Sequence, residues 1–121
     1  MYSAALLDHF QHPRNAGELP DATARARIEN PACGDMLELT VKIVGNNVDD
    51  VRFRAQGCVA AMACASAVTV LAKGKPVDEV RRISREDVVA TVGGLPAASG
   101  HAAQLAIDAL QAVLHTALPE S

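Results

Sequence analysis

The chain has 121 residues, 14 acidic against 11 basic side chains and a net charge of −3, so it carries no basic footprint for nucleic acid. Half of its residues are hydrophobic but only 2% are aromatic, which leaves Ala, Val, Leu and Ile to fill the core of a single domain over residues 1–121. Three cysteines, an odd number, argue against a disulfide framework, and no run of eighteen apolar residues offers a membrane span. A cytoplasmic protein with reduced thiols, partnered by neither nucleic acid nor membrane, is expected.

Residues 2–12 read as a short amphipathic helix with Leu6, Leu7 and Phe10 on one side and Pro13 as its stop. Pro13, Gly17 and Pro20 mark a loop over 13–23, and 24–29 form a weak strand. The strongest periodic signal follows. Leu37, Leu39, Val41 and Ile43 alternate with polar residues, Gly45-Asn46-Asn47 turns the chain, and Val51, Phe53 and Ala55 alternate again. This is a hairpin with one buried face.

From Cys58 to Lys73 the chain is almost uninterruptedly small and apolar, a buried helix ended by Gly74. Two short helices follow over 76–82 and 84–91, the second entered through Ser84 with Asp87 three residues on, the spacing of a capping box. Arg81, Arg82 and Arg85 read as a solvated helix face. Residues 92–100 are a Gly/Pro loop, and 101–116 an amphipathic helix with Leu105, Ala109, Leu110, Val113 and Leu114 inward. The order of elements predicts an α+β fold, an antiparallel three-stranded sheet with helices packed on one face.

Asn30-Pro31-Ala32-Cys33-Gly34-Asp35, Gly57-Cys58 and Gly100-His101 carry the chemistry. Thiolate, imidazole and carboxylate donors at Cys33, Asp35, Cys58 and His101 together suit zinc or iron rather than calcium or magnesium. Cys33 and Asp35 share a face if the segment is extended, because alternate side chains do. An antiparallel hairpin returns Cys58 to the place where Asp35 begins it. Cys58 also opens a helix, where the dipole favours a thiolate. Cys64 is six residues further on, about 120° round and about 9 Å along a helix, and reads as core. His101 needs only its helix to begin at the same rim. His9 and His12 read as surface or packing residues, and His115 as a surface residue.

The chain resembles the IscU/NifU-type iron–sulfur cluster assembly scaffolds over nearly its whole length. The resemblance rests on Tyr2 to Asn15 (with Asp8-His9-Phe10 and His12-Pro13-Arg14-Asn15), Asn30 to Asp35, Arg52-Phe53-Arg54 through Gly57-Cys58, Lys73-Gly74-Lys75 and Gly100-His101-Ala102. It implies a scaffold rather than an enzyme, holding iron or a [2Fe–2S] cluster, or zinc when empty, on Cys33, Asp35, Cys58 and His101. It also implies a cysteine desulfurase that supplies sulfur and acceptor proteins that receive the cluster.

Two departures matter. The family's third cysteine, which follows the histidine, is Ala102 here, so sulfur would have to be received on Cys33 or Cys58. Leu95-Pro96-Ala97-Ala98-Ser99 replaces the Leu-Pro-Pro-Val-Lys signal of better-known members, which leaves their dedicated chaperone open as a partner. Two thiolates, a carboxylate and an imidazole still complete a tetrahedral zinc site, and the hard carboxylate should make a cluster more labile. The alternative reading is a zinc-bound sulfur acceptor of the SufU type, against which stand the presence of His101 and the lack of an insertion before it. A purely structural zinc domain ranks last, because the aliphatic core should not need a staple.

Overall fold

The computed structural model describes residues 1–31 and 34–118. Its elements are helix α1 (Ala4–Gln11), strands β1 (Ala24–Asn30), β2 (Asp35–Val44) and β3 (Asn47–Gln56), helices α2 (Val59–Ala72), α3 (Val77–Val80) and α4 (Arg85–Thr91), a 3₁₀ turn (Ala97–Ser99), and helix α5 (Gly100–Ala117). The strands form one antiparallel meander in the order β1-β2-β3. The α+β expectation holds, and the elements differ from the sequence reading mostly at their ends.

Leu37, Leu39 and Val41 of β2 sit beside Ala55, Phe53 and Val51 of β3, so one face of the sheet is apolar by strict alternation. Helices α2 and α5 lie on that face, α2 against β3 and α5 against β1 and β2. Hydrophobic on nearly all sides, α2 is a core helix. Ala60, Ala63, Ala65, Ala67 and Ala72 are completely buried, and such short side chains let α1, α4, α5 and β3 all pack against it. Transfer of each methylene from water contributes about 0.8 kcal/mol, so leucines and valines of the sheet supply more of the driving force than these alanines do.

Segment 13–23, expected as loop, is tied to the sheet at several places, Thr23 among them, whose N–H donates to Val41 O at 2.7 Å. Gly17 N–H donates to Phe53 O at 2.8 Å and Phe53 N–H to Asn15 O at 2.9 Å, giving β3 an outer neighbour. Leu19 N–H then donates to Thr40 Oγ1 at 3.1 Å across the other face of the sheet. Helix α1 corrects the expected apolar stripe: Leu6 and His9 are buried, whereas Leu7 is exposed. Residues three apart share a helix face and adjacent ones do not, so Leu7 turns outward when Leu6 turns in. Ser84 forms the expected capping box with Asp87. No helix among the described residues is long and apolar enough to cross a membrane.

Candidate metal centre

Three of the four sequence-predicted donors meet at one end of the hairpin. Asp35 opens β2, Cys58 follows β3 by two residues and precedes α2, and His101 is the second residue of α5. The fourth, Cys33, lies outside the described residues.

Each donor is placed by local structure. Asp35 pairs with Asn30 across the β1–β2 connection, so it belongs to the strand rather than to the loop before it. Cys58 is the N-cap of α2, with extended backbone and its Sγ accepting from Ala61 N–H at 3.3 Å. The positive end of the helix therefore faces the sulfur. His101 comes from the first turn of α5, which the short 3₁₀ turn brings to the same rim. Burial grades across the site: Asp35 is 2% exposed, while Cys58 and His101 are half-buried.

The donor atoms form a compact triangle. His101 Nε2 is 3.2 Å from Asp35 Oδ2, Cys58 Sγ is 3.7 Å from the same oxygen, and Sγ and Nε2 are 3.9 Å apart. The circle through these three points has a radius of about 2.1 Å, close to the bonds of about 2.0–2.3 Å that zinc makes to nitrogen, oxygen and sulfur. One ion can thus touch all three without any of them moving far. The other carboxylate oxygen, Oδ1, accepts Cys58 N–H at 3.1 Å. Beside His101 a shallow groove opens between β1 and α5, walled by Ile28, Asn30, Pro31, Gln104 and Leu105.

The remaining sequence-singled residues fall elsewhere. Cys64 is fully buried, and burial, with the nearby Cys58 as the lesser influence, pushes its thiol up to about 12. It is a core residue, as its spacing from Cys58 indicates. Ala102, beside His101, is 1% exposed and packs into the core rather than toward the donor triangle. His12 and His115 are exposed. Of the two roles expected for His9, surface or packing, it takes the second: its Nδ1 is 2.8 Å from the Oγ of completely buried Ser66. Its position three residues past Leu6 was the available signal. Sequence reasoning gives no separate role to Gly57, although the Asp35 carboxylate fills the space a side chain there would need.

Comparison with known proteins gives the family and the fold. The family model described as the NifU-like N terminal domain matches residues 1–117. The chain is 42% identical over 111 residues to the "Iron-sulfur cluster assembly scaffold protein IscU 1" of Archaeoglobus fulgidus, covering 92% of this chain and 72% of that relative. It is 37% identical over 115 residues to the IscU scaffold protein of Aquifex aeolicus, covering 93% and 73%. Among solved structures, the N-terminal part of a nitrogen-fixing NifU-like protein from Brucella abortus superposes with a TM-score of 0.79 over 98% of this chain and 95% of that one. At 17% identity that likeness shows a shared fold.

Proposed function

As this chain belongs to the family of NifU-like N-terminal domains, we propose that it is a scaffold on which iron–sulfur clusters are assembled and from which they are passed on. In this reading it is a single scaffold domain over residues 1–121, a carrier rather than a turnover enzyme, working in the cytoplasm where its thiols stay reduced. The cargo is iron and sulfide, built into a [2Fe–2S] cluster, with zinc taking the place when cargo is absent. Cys33, Asp35, Cys58 and His101 are its protein ligands. Sulfur is delivered by a cysteine desulfurase, and acceptor proteins receive the finished cluster.

The observation that carries the reading is the donor triangle, three unlike donors spaced for one borderline ion. A two-iron cluster divides its protein ligands between two metal atoms. Three donors around one point therefore describe the stage at which a single iron or zinc is held, and cluster assembly then spreads them. The carboxylate is the hardest of the donors and matches sulfide-rich iron least, which makes it the ligand most readily exchanged.

Anaerobic reconstitution with ferrous iron, cysteine, a desulfurase and excess dithiothreitol, which reduces the delivered persulfide sulfur to sulfide, tests this. The visible absorption of a [2Fe–2S] cluster should grow in with two irons per chain, then decay as an apo-ferredoxin gains its own. Absence of any cluster absorption under those conditions would refute the scaffold role.

A further inference from the structure

Asp35 is the most buried donor of the site, and its neighbour makes that possible. Gly57 holds φ at +138°, a conformation that side-chain-bearing residues rarely adopt. A Cβ built on it would stand 2.1 Å from Asp35 Oδ1, 2.7 Å from Cγ and 3.0 Å from the Asp35 Cα. The first two separations are impossible for non-bonded atoms, so the carboxylate would have to leave its seat, and the third would press on the Asp35 backbone, which is held in β2. The carboxylate occupies the volume that any side chain at position 57 would take.

Seated there, the two oxygens of Asp35 do different things. Oδ1 receives Cys58 N–H at 3.1 Å, while Oδ2 is turned to His101 Nε2 and Cys58 Sγ. We propose that Gly57 is a positioning residue of the ion site, ceding its side-chain space so that Asp35 is locked as a one-oxygen ligand of fixed direction. Cys58 then serves the site twice, through its sulfur and through its backbone N–H. This inference rests on the reading of Asp35 as a ligand. It makes two demands that a merely tight turn does not: the effect of a side chain at 57 must pass through the Asp35 carboxylate, and the seat must be specific for the length of aspartate.

The test is Co²⁺ and Zn²⁺ binding to the purified full chain by competition with a chromophoric chelator, with folding followed by circular dichroism. Asp35→Ala and Gly57→Ala should each weaken binding by about 10–100-fold, the range for residues that orient metal ligands. The double variant should bind little more weakly than Asp35→Ala, because without the carboxylate the added methyl group meets only the Cα of residue 35, the mildest of the three contacts. Asp35→Glu should bind as poorly as Asp35→Ala although it keeps the charge. If Gly57→Ala weakens binding by the same factor with and without Asp35, backbone strain alone is at work and the proposal falls. It falls equally if Asp35→Glu binds like the parent, a comparison that stands even where Gly57→Ala does not fold. Parental affinity in Asp35→Ala would instead remove Asp35 from the ligand set, and with it the reading beneath the proposal.

Discussion

Replacing Ser66 by alanine should destabilise the chain by about 2–4 kcal/mol without touching the ion site. Ser66 is completely buried on α2, and its Oγ accepts Arg14 N–H at 2.9 Å while lying 2.8 Å from His9 Nδ1. Removing the hydroxyl strips both partners at once. A buried polar group left without a partner costs about 1–3 kcal/mol, and Arg14 N–H, being only part-buried, falls at the lower end. Urea unfolding at pH 7.5 measures the loss as a lower midpoint at unchanged slope. The same joint predicts a pH dependence. Burial, reinforced by the charge of Arg14 and opposed by that of Asp8, holds the His9 pKa below its ordinary 6.5. As pH falls past 6.5 the unfolded chain takes up this proton before the folded one does, so the unfolded state is favoured. Stability from His9 is therefore full above 6.5 and is lost on acidification through the lower folded value. In His9→Gln this component disappears, and the difference between variant and parent should change between pH 7.5 and 5. Parallel curves over that interval, or a Ser66→Ala loss below about 1 kcal/mol, would mean that the His9–Ser66–Arg14 joint does not hold the fold in this way.

Three further outcomes are expected. Cobalt titration should saturate at one ion per chain with a thiolate-to-metal charge-transfer band, and Cys58→Ala should reduce that band to about half, two thiolates becoming one; an unchanged band would exclude Cys58 as a ligand. Iodoacetamide at pH 8, read by peptide mass spectrometry, should modify half-buried Cys58 and spare Cys64, whose thiol is buried and pushed up to about 12. Cys64 reacting as fast as Cys58 in the folded chain would contradict that burial. Ser84→Ala should cost about 1 kcal/mol in urea unfolding by removing the acceptor for Asp87 N–H in the capping box, and a neutral effect would show that the cap is not needed by α4.

How much was legible depended on whether a residue's neighbours are close in sequence. The alternation in β2 and β3 is local, and those strands match the sequence reading closely. The buried helix α2 is legible for the same reason, as its small apolar residues admit few other states. Strand β1 reads weakly because Arg25, Arg27 and Glu29 face solvent and its inward positions are two alanines and a single large apolar residue, Ile28, of which only Ala24 is buried. The ties of Asn15 and Gly17 to Phe53 join residues more than thirty apart, and nothing in their own sequence announces them. His9 is a packing residue, one of the two roles its sequence allowed, but its partner Ser66 is likewise remote and was not legible. Composition and spacing find the donor types; they do not find the contacts that orient them.

Gly57 and Asp35 show why the orientation is nevertheless built into the chain. The hairpin has two demands that conflict. Its two-residue turn, with Gly45 at φ +61°, pairs Val44 with Asn47 and Ile43 with Val48, and continuing that register would set Leu37 and Leu39 opposite Arg54 and Arg52. Two guanidinium groups would then enter the core, since a slip of one residue turns every side chain to the other face. The irregularity between Lys42 and Ile43 resolves the conflict by leaving Asp49 unpaired, after which Leu39 meets Phe53 and Leu37 meets Ala55. The same shift determines what lies at the far end. With Met36 opposite Gln56, the next position in register brings Gly57 to Asp35, and Cys58 N–H into reach of the carboxylate. Without the extra residue, Gln56 would stand there instead, and its side chain would compete for the space that Gly57 leaves free. The donor triangle is thus a consequence of core packing along the whole hairpin, and the ion site inherits its register from hydrophobic residues that never touch the ion.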